Sequence, residues 1–337
     1  MPKLSASPVT LGILGAASIA PTAFILPARS VSGVRLVGIA ARDPARAGAF
    51  AKRYKIPNIY QTYDDLLADP AIEAIYNPLP NSLHAEWTIR ALRAGKHVLC
   101  EKPMAANAQE AEVMAATAAE TGTVLSEALA YRHHPLTARV REILASGELG
   151  RIRHIEAQFC FLRYGRNDIR YRYDLAGGAM MDAGCYPLSF MRYCLGAEPT
   201  VVQAQARTFS PEIDRWMAAD LVFPGGCTGK MECAMLSRVV FRSRAKIRGD
   251  AGELRVLNPY QPHWFHCLTV RNSEGVRRER LSGTNPYVYQ LDAFSRAIRQ
   301  GTPLNTNPQD TIGTMRVIDA IYEKAGLHRR NSQTESA

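Results

Sequence analysis

The sequence predicts an α/β protein in two parts. The first is an N-terminal Rossmann dinucleotide-binding domain with a parallel, doubly wound sheet; the second is an α+β domain built on a large, mostly antiparallel open sheet. Three observations lead there. From Val9 to about Leu129, short β-rich runs alternate with helical patterns; beyond about residue 150, strand-like runs follow one another between turn signals; and the first strand runs into a small-residue turn that opens a helix. Alternation of strand and helix builds a parallel sheet, whereas strands joined by turns pair antiparallel. A chain of 337 residues with 47% hydrophobic content exceeds one common-sized core. It suits two domains, 1–129 and 130–329, with a short disordered tail at 330–337.

In the first half the periodicity predicts strands at 10–14, 35–40, 74–77, 97–100 and 123–125. Between them, 44–55, 62–68, 82–94 and 108–121 carry helix formers with apolar residues at three-to-four spacing. Asp43-Pro44 supplies a cap and a first-turn proline, and Asn107 precedes Ala108, Gln109 and Glu110. The second half reads as strands at 152–161, 201–208, 217–223, 226–235, 245–249, 253–257 and 264–270. Pro224-Gly225-Gly226, Asp250-Ala251-Gly252 and Asn272-Ser273-Glu274-Gly275 are the turns between them. One helix, 179–195, interrupts these strands, and helices at 288–299 and 308–324 close the chain.

Composition removes several function classes. The seven cysteines are odd in number, scattered and without a C-x-x-C pair, which fits a reducing compartment and argues against a disulfide framework or zinc cluster. The apolar stretch from Val9 to Pro27 is divided by glycines and Pro21, with only Lys3 before it, so it reads as strand, turn and helix rather than a secretory signal. With no apolar span of membrane length, the expectation is a cytoplasmic protein that does not use a membrane. The net charge of +10 raises a polyanionic partner, yet the basic residues are dispersed among acidic ones, so no nucleic acid is expected.

The turn Gly12-Ile13-Leu14-Gly15-Ala16-Ala17-Ser18-Ile19-Ala20 aligns with G-x-G-x-x-G/A, with Gly15 first and Ala17 and Ala20 at the later glycine positions. Small residues there let the backbone approach a pyrophosphate, and the helix that follows favours the anion through Ser18 and Ile19. At the end of the next strand, where Asp or Glu would take the ribose hydroxyl of NAD, the chain reads Ala41-Arg42-Asp43, with Arg46 one turn on. Two guanidinium groups suit a 2′-phosphate, so the expected cofactor is NADP rather than NAD, with Asp43 left as a helix cap. Glu101-Lys102-Pro103 closes the strand at 97–100, where an open α/β sheet presents side chains to a ligand.

Together the Gly15 turn, Asn77-Pro78-Leu79-Pro80-Asn81-Ser82-Leu83-His84, Glu101-Lys102-Pro103 and Gly177-Gly178-Ala179-Met180-Met181-Asp182-Ala183-Gly184-Cys185-Tyr186 resemble the Gfo/Idh/MocA oxidoreductases. The likeness runs from about residue 9 to 325, and a tyrosine at 186 resembles the branch with dimeric dihydrodiol dehydrogenases and NADP-linked xylose dehydrogenases. The resemblance implies that Lys102 and Tyr186 form a catalytic pair and that Asn81, His84 and Glu101 line the nicotinamide side. It also implies a homo-oligomer formed through the face of the C-terminal sheet.

The chemistry is consistent with that pair. Oxidising an alcohol needs a base for the hydroxyl proton while hydride leaves for the nicotinamide. A phenol of pKa ~10 serves only if a cation lowers it. An ammonium at about 4 Å contributes roughly 4 kcal/mol of gross attraction at an effective dielectric of about 20, some thousandfold in acidity before desolvation opposes it. Asp182, four residues before Tyr186 on one helix face, would orient Lys102 or a substrate hydroxyl. Without the family pattern, Tyr186 reads as a core aromatic and Asp182 as a helix-start acid. Arg132, Asn167 and Arg170 are placed near a pocket mouth to bind substrate hydroxyls, with a surface ion pair as the other reading of Arg170. His133-His134 and His263-x-x-His266 lack a third ligand, so no metal is expected. The sequence therefore reads as an NADP-dependent oxidoreductase acting on a sugar, cyclic polyol or trans-dihydrodiol. The alternative is a catalytically silent dinucleotide-binding regulatory protein of the same fold.

Overall fold

A computed structural model describes residues 7–165 and 168–331, in two compact units. The first runs up to Ala105 and takes in Gln109–Ala130 and Tyr287–Thr311; the second comprises Ala106–Ala108, Tyr131–Pro286 and the chain from Ile312 onward.

In the first unit, β1 (Val9–Leu14), β2 (Val34–Ala40), β3 (Asn58–Tyr60), β4 (Ala74–Asn77), β5 (His97–Cys100) and β6 (Leu125–Glu127) form a parallel sheet in the order β3-β2-β1-β4-β5-β6. The order reverses between β1 and β4, the place where open α/β sheets leave a crevice at their carboxyl edge. β1 is buried along its whole length, as a strand covered on both faces should be. β3 was not anticipated; it is a three-residue edge strand, too short to show a period. Asp43 caps the helix Pro44–Tyr54 by accepting from the Ala45 and Arg46 amides at 2.9 and 3.3 Å.

The helix Pro286–Gln300, expected within a C-terminal domain of residues 130–329, packs in the first unit instead. Its Leu291 and Phe294 are wholly buried in the core formed with Leu11, Ile13, Phe24 and Ile39. Arg299 pairs with Glu73 at 2.7 Å, and Glu73 also accepts from the Thr10 amide.

The second unit is an eight-stranded sheet, ordered β14-β13-β12-β11-β7-β10-β9-β8. Its strands are β7 (Ile152–Leu162), β8 (Thr200–Ser210), β9 (Ile213–Val222), β10 (Thr228–Ala234), β11 (Leu236–Gly249), β12 (Gly252–Leu257), β13 (Cys267–Asn272) and β14 (Gly275–Glu279). All neighbours are antiparallel except β7 and β10. Ile155, Ala157, Phe159, Met231 and Ile247 are buried on one face, which the helix Cys185–Leu195 covers. Glu156, Gln158, Arg244 and Lys246 alternate with them onto the other face. The helix Pro135–Ser146 was also not anticipated.

Arg330 corrects the expected tail at 330–337. Its side chain is fully buried, with Nε donating to the Gly177 carbonyl at 2.7 Å and Nη2 reaching the Glu212 carbonyl and Asp214. Residues 332–337 lie outside those described.

Candidate active site

At the cofactor end of the first unit, Gly15 has φ of 84° and its amide donates to the Ala40 carbonyl at 2.6 Å, joining the turn after β1 to the end of β2. A Cβ at Gly15 would stand 3.0 Å from Leu79 Cδ2 and 3.7 Å from the Tyr63 hydroxyl, so both conformation and space reserve the position for glycine. Ser18 and Ile19 are exposed on the turn, Ala17 is half-buried, and Ala20 packs at no exposure against the core. The helical segment that follows begins at Pro21–Ile25 and continues as Leu26–Ala28.

Arg42 and Arg46 both stand exposed beyond the end of β2. Arg46 Nη2 donates to the Ala16 carbonyl at 2.9 Å, tying the guanidinium to the glycine turn. Tyr63, which the sequence did not single out, hydrogen-bonds to the Arg42 backbone; burial pushes its phenol up, and the Arg42 and Arg46 charges oppose that rise. Small residues at the turn, an uncovered backbone and two cations at the end of β2 fit a dinucleotide bearing a 2′-phosphate.

Glu101-Lys102-Pro103 leaves the carboxyl end of β5 with a cis Lys102–Pro103 bond. Glu101 continues the pairing, its amide donating to Asn77 at 3.0 Å. Its carboxylate accepts from the buried Tyr76 hydroxyl at 2.7 Å, and the Tyr76 ring stacks on Phe24 at 4.2 Å. His84 is 1% exposed, with Nδ1 2.9 Å from the Pro103 carbonyl and Nε2 2.7 Å from that of Leu79. Burial pushes this imidazole down to about 4; the two carbonyls pull the other way, and the Lys102 charge adds to the lowering. His84, expected to line the cofactor, thus braces the Lys102 turn from beneath. Asn81 opens the short helical turn Asn81–Leu83 and is half-buried.

In the second unit, Asp182 lies in a π-helical turn, Met180–Gly184, that leads into the helix Cys185–Leu195 bearing Tyr186. Such turns recur where a helix re-aims side chains at a functional site. Asp182 Oδ2 accepts from Arg170 Nε at 2.8 Å, and Arg170 Nη1 also reaches Asp168 at 3.0 Å. Burial works against the Arg170 charge, but Asp182 and Asp168 hold its pKa above the ordinary value. Of the two readings of Arg170, the ion pair is the one seen here, and it holds Asp182. The half-buried Tyr186 ring sits among Phe159, Tyr260 and Tyr131 at 5.2, 5.7 and 6.1 Å.

Arg132, expected at a pocket mouth, is 3% exposed. Its guanidinium lies over the Tyr193 ring at 4.1 Å and Nη2 meets the Ser189 carbonyl at 3.5 Å, so it packs against the Tyr186 helix. Asn167, also expected there, lies outside the described residues. His134 and His266 come within 5.6 Å, but His134 Nδ1 accepts from the Leu136 amide, and His266 is engaged by the Pro262 carbonyl and the Leu281 amide.

The sequence did not mark the support of the Tyr186 helix. Asp214 accepts from the Met180 amide at 2.6 Å and the Tyr322 hydroxyl at 3.0 Å, and pairs with Arg330 at 3.0 Å. Gly178, at φ 130°, lies against this group: a Cβ would fall 2.2 Å from Asp214 Oδ1. The paired glycines at 177 and 178 were the available signal, since adjacent glycines before a helix announce a close approach.

Two family models match the chain: an oxidoreductase family with an NAD-binding Rossmann fold over residues 9–129, and the Gfo/Idh/MocA C-terminal domain over residues 137–255. A D-xylose 1-dehydrogenase (NADP+) of Haloferax volcanii is 37% identical over 93% of this chain and 96% of its own length. A trans-1,2-dihydrobenzene-1,2-diol dehydrogenase of Mus musculus is 32% identical over 86% of this chain and 87% of its own. The crystal structure of a 3-ketoreductase of Actinomadura kijaniata, in complex with NADP and TDP-benzene, superposes with a TM-score of 0.87 at 29% identity, covering 94% of this chain and 98% of that one. Variants of that reductase at a tyrosine and at a lysine have also been solved.

Proposed function

The chain belongs to the Gfo/Idh/MocA oxidoreductase family, and on that premise we propose that it is an NADP-dependent dehydrogenase or reductase of a sugar, cyclic polyol or trans-dihydrodiol. The observation that carries this reading is Lys102 at the carboxyl edge of β5, in the same parallel sheet whose β1 and β2 ends bear the Gly15 turn, Arg42 and Arg46. The xylose and dihydrodiol relatives and the NADP-bound reductase support both the cofactor and the substrate class.

The nicotinamide, when bound, takes or gives the hydride. Tyr186 moves the proton at the substrate oxygen, and the Lys102 ammonium lowers the cost of the phenolate. Ser18, Ile19 and the amides after Gly15 would receive the pyrophosphate, while Arg42 and Arg46 would hold the 2′-phosphate. Glu101, fastened to Tyr76 and to the backbone at Asn77, sets the exit of β5 and hence the base of Lys102. Asp182 accepts from Arg170 Nε, and the guanidinium so held would donate to a substrate hydroxyl. The polar face of the second unit's sheet is the surface through which copies would associate.

A panel of aldoses, inositols and aromatic dihydrodiols, followed by NADPH absorbance, tests the reading. Turnover of a member of these classes that Lys102→Ala abolishes is the expected result. NADP binding with no turnover across the panel would favour the silent regulatory alternative.

A further inference from the structure

Strand β4, Ala74-Ile75-Tyr76-Asn77, is buried at every position, and one of those positions carries a phenol. The Tyr76 ring stacks on Phe24, in the helical segment after the glycine turn, at 4.2 Å with the two planes 2° apart. Phenylalanine would make that stack equally well and would spare the cost of taking a hydroxyl out of water. The hydroxyl must be explained by its partner. Among the described residues that partner is Glu101, whose Oε1 accepts from it at 2.7 Å.

The strand register explains how the two meet. Tyr76 lies opposite Leu99 on β5, so Glu101, two residues further on, leaves the same face of the sheet. The other carboxylate oxygen, Oε2, accepts from the Lys102 amide at 3.3 Å. The carboxylate is thus fastened through one oxygen to the core and through the other to the backbone of the lysine that follows. Burial pushes the Tyr76 phenol well above its ordinary value and the Glu101 charge pushes it further, so the hydroxyl keeps its proton and donates.

An ammonium favours a phenolate only as far as its charge is not cancelled by an acid beside it. Glu101 is such an acid, adjacent in the chain. We propose that Tyr76 is a positioning residue: its hydroxyl holds the Glu101 carboxylate toward the core, which fixes the backbone of Lys102 and keeps the carboxylate from cancelling the ammonium. This rests on the role proposed above for Lys102, and it extends that role to a side chain wholly buried in the first unit.

Tyr76→Phe tests it, because the substitution keeps a ring on Phe24 and removes only the hydroxyl. With the O–H dipole gone, the full carboxylate charge acts on the ammonium one residue away and favours its charged form. The titration is followed by NMR on the NADP-loaded protein with isotope-labelled methyl groups on its lysines, Lys102 being assigned by the signal lost in Lys102→Arg. In Tyr76→Phe that signal should titrate about one pH unit higher than in the wild type. With a substrate from the panel, kcat should fall about tenfold while KM and the Kd for NADP stay within about twofold. Glu101→Ala removes the intermediary, and adding Tyr76→Phe to it should change neither the Lys102 titration nor kcat any further. An unmoved Lys102 titration in Tyr76→Phe overturns the proposal, even where that variant unfolds more easily in urea, since the hydroxyl would then serve packing alone. A second fall in kcat on the Glu101→Ala background overturns it as well. No turnover across the panel, with the Lys102 titration still moving in Tyr76→Phe and unmoved by the added substitution, upholds the positioning and removes the reaction.

Discussion

Arg330 and Asp214 meet at 3.0 Å with neither side chain exposed to solvent. The pair closes a group that also holds the Met180 amide and the Gly177 carbonyl, at the start of the helix that carries Asp182 and Tyr186. Removing one partner leaves a buried charge uncompensated. Arg330→Met should therefore cost about 3–5 kcal/mol in urea unfolding. Pairing it with Asp214→Asn should recover part of that loss, and an unfolding free energy unchanged in Arg330→Met would contradict the assignment.

Gly178→Ala tests the same junction from the other side. A methyl group 2.2 Å from Asp214 Oδ1, on a residue at φ 130°, cannot be accommodated without moving the carboxylate. Thermal unfolding should show a loss of at least about 3 kcal/mol, beyond the usual range for a surface substitution.

Arg42→Ala should narrow the preference for NADP over NAD by roughly 10- to 100-fold in Kd ratio, the worth of a hydrogen-bonded charge on the 2′-phosphate. Arg46→Ala should do likewise but weaken NAD binding too, because Arg46 also fastens the Ala16 carbonyl of the turn. Equal effects on both cofactors from Arg42→Ala would remove that residue from the 2′-phosphate.

Tyr186→Phe should lower kcat by about 10²- to 10⁴-fold, the usual contribution of a positioned acid/base, while the Kd for NADP stays unchanged. Turnover at the wild-type rate would sink the acid/base role, and a weakened NADP Kd would point to a structural one.

Asp319 supplies a pH dependence. Burial pushes its carboxyl up to about 6, against the hydrogen bond from the Ala108 amide and the Arg329 charge; Oδ1 is buried without a partner. The folded state thus holds its proton more tightly than the unfolded chain. The contribution is full below about pH 4, and it fades as pH rises toward 6. Asp319→Asn should match the wild type at pH 4 and exceed it by about 1–2 kcal/mol above pH 6. Parallel stability–pH curves for the two proteins would contradict this.

The alternation of strands and helices was legible because β1, β2, β4 and β5 each carry four or more apolar-rich residues bounded by turns. Asn58–Tyr60 has three residues and no buried face, so no periodic signal existed to find. The helix Pro135–Ser146 does carry a signal, in Leu136, Val140 and Ile143 at helical spacing. The positions of Gly15, Arg42 and Lys102 at the sheet's carboxyl edge were legible, since each closely follows a strand that the pattern marks. Burial of Arg132 against Tyr193, and of Arg330 against Asp214, depends on partners far along the chain that no local pattern announces. For the same reason Asp182 was matched with Lys102, while its contact with Arg170 waited on the path of the loop before Gly177.

The return of Pro286–Gln300 to the first unit has a consequence for synthesis. The core around Leu11, Ile13 and Phe24 is incomplete until Leu291 and Phe294 have emerged from the ribosome. At about 5–20 residues per second, the nascent cofactor-binding half waits roughly 8–30 s after Ala130 for its last helix, with the whole stretch to Pro286 made in the interval. A fragment ending near residue 130 would leave an apolar groove where that helix belongs, so nascent chains stalled there are the form in which chaperones would find this protein.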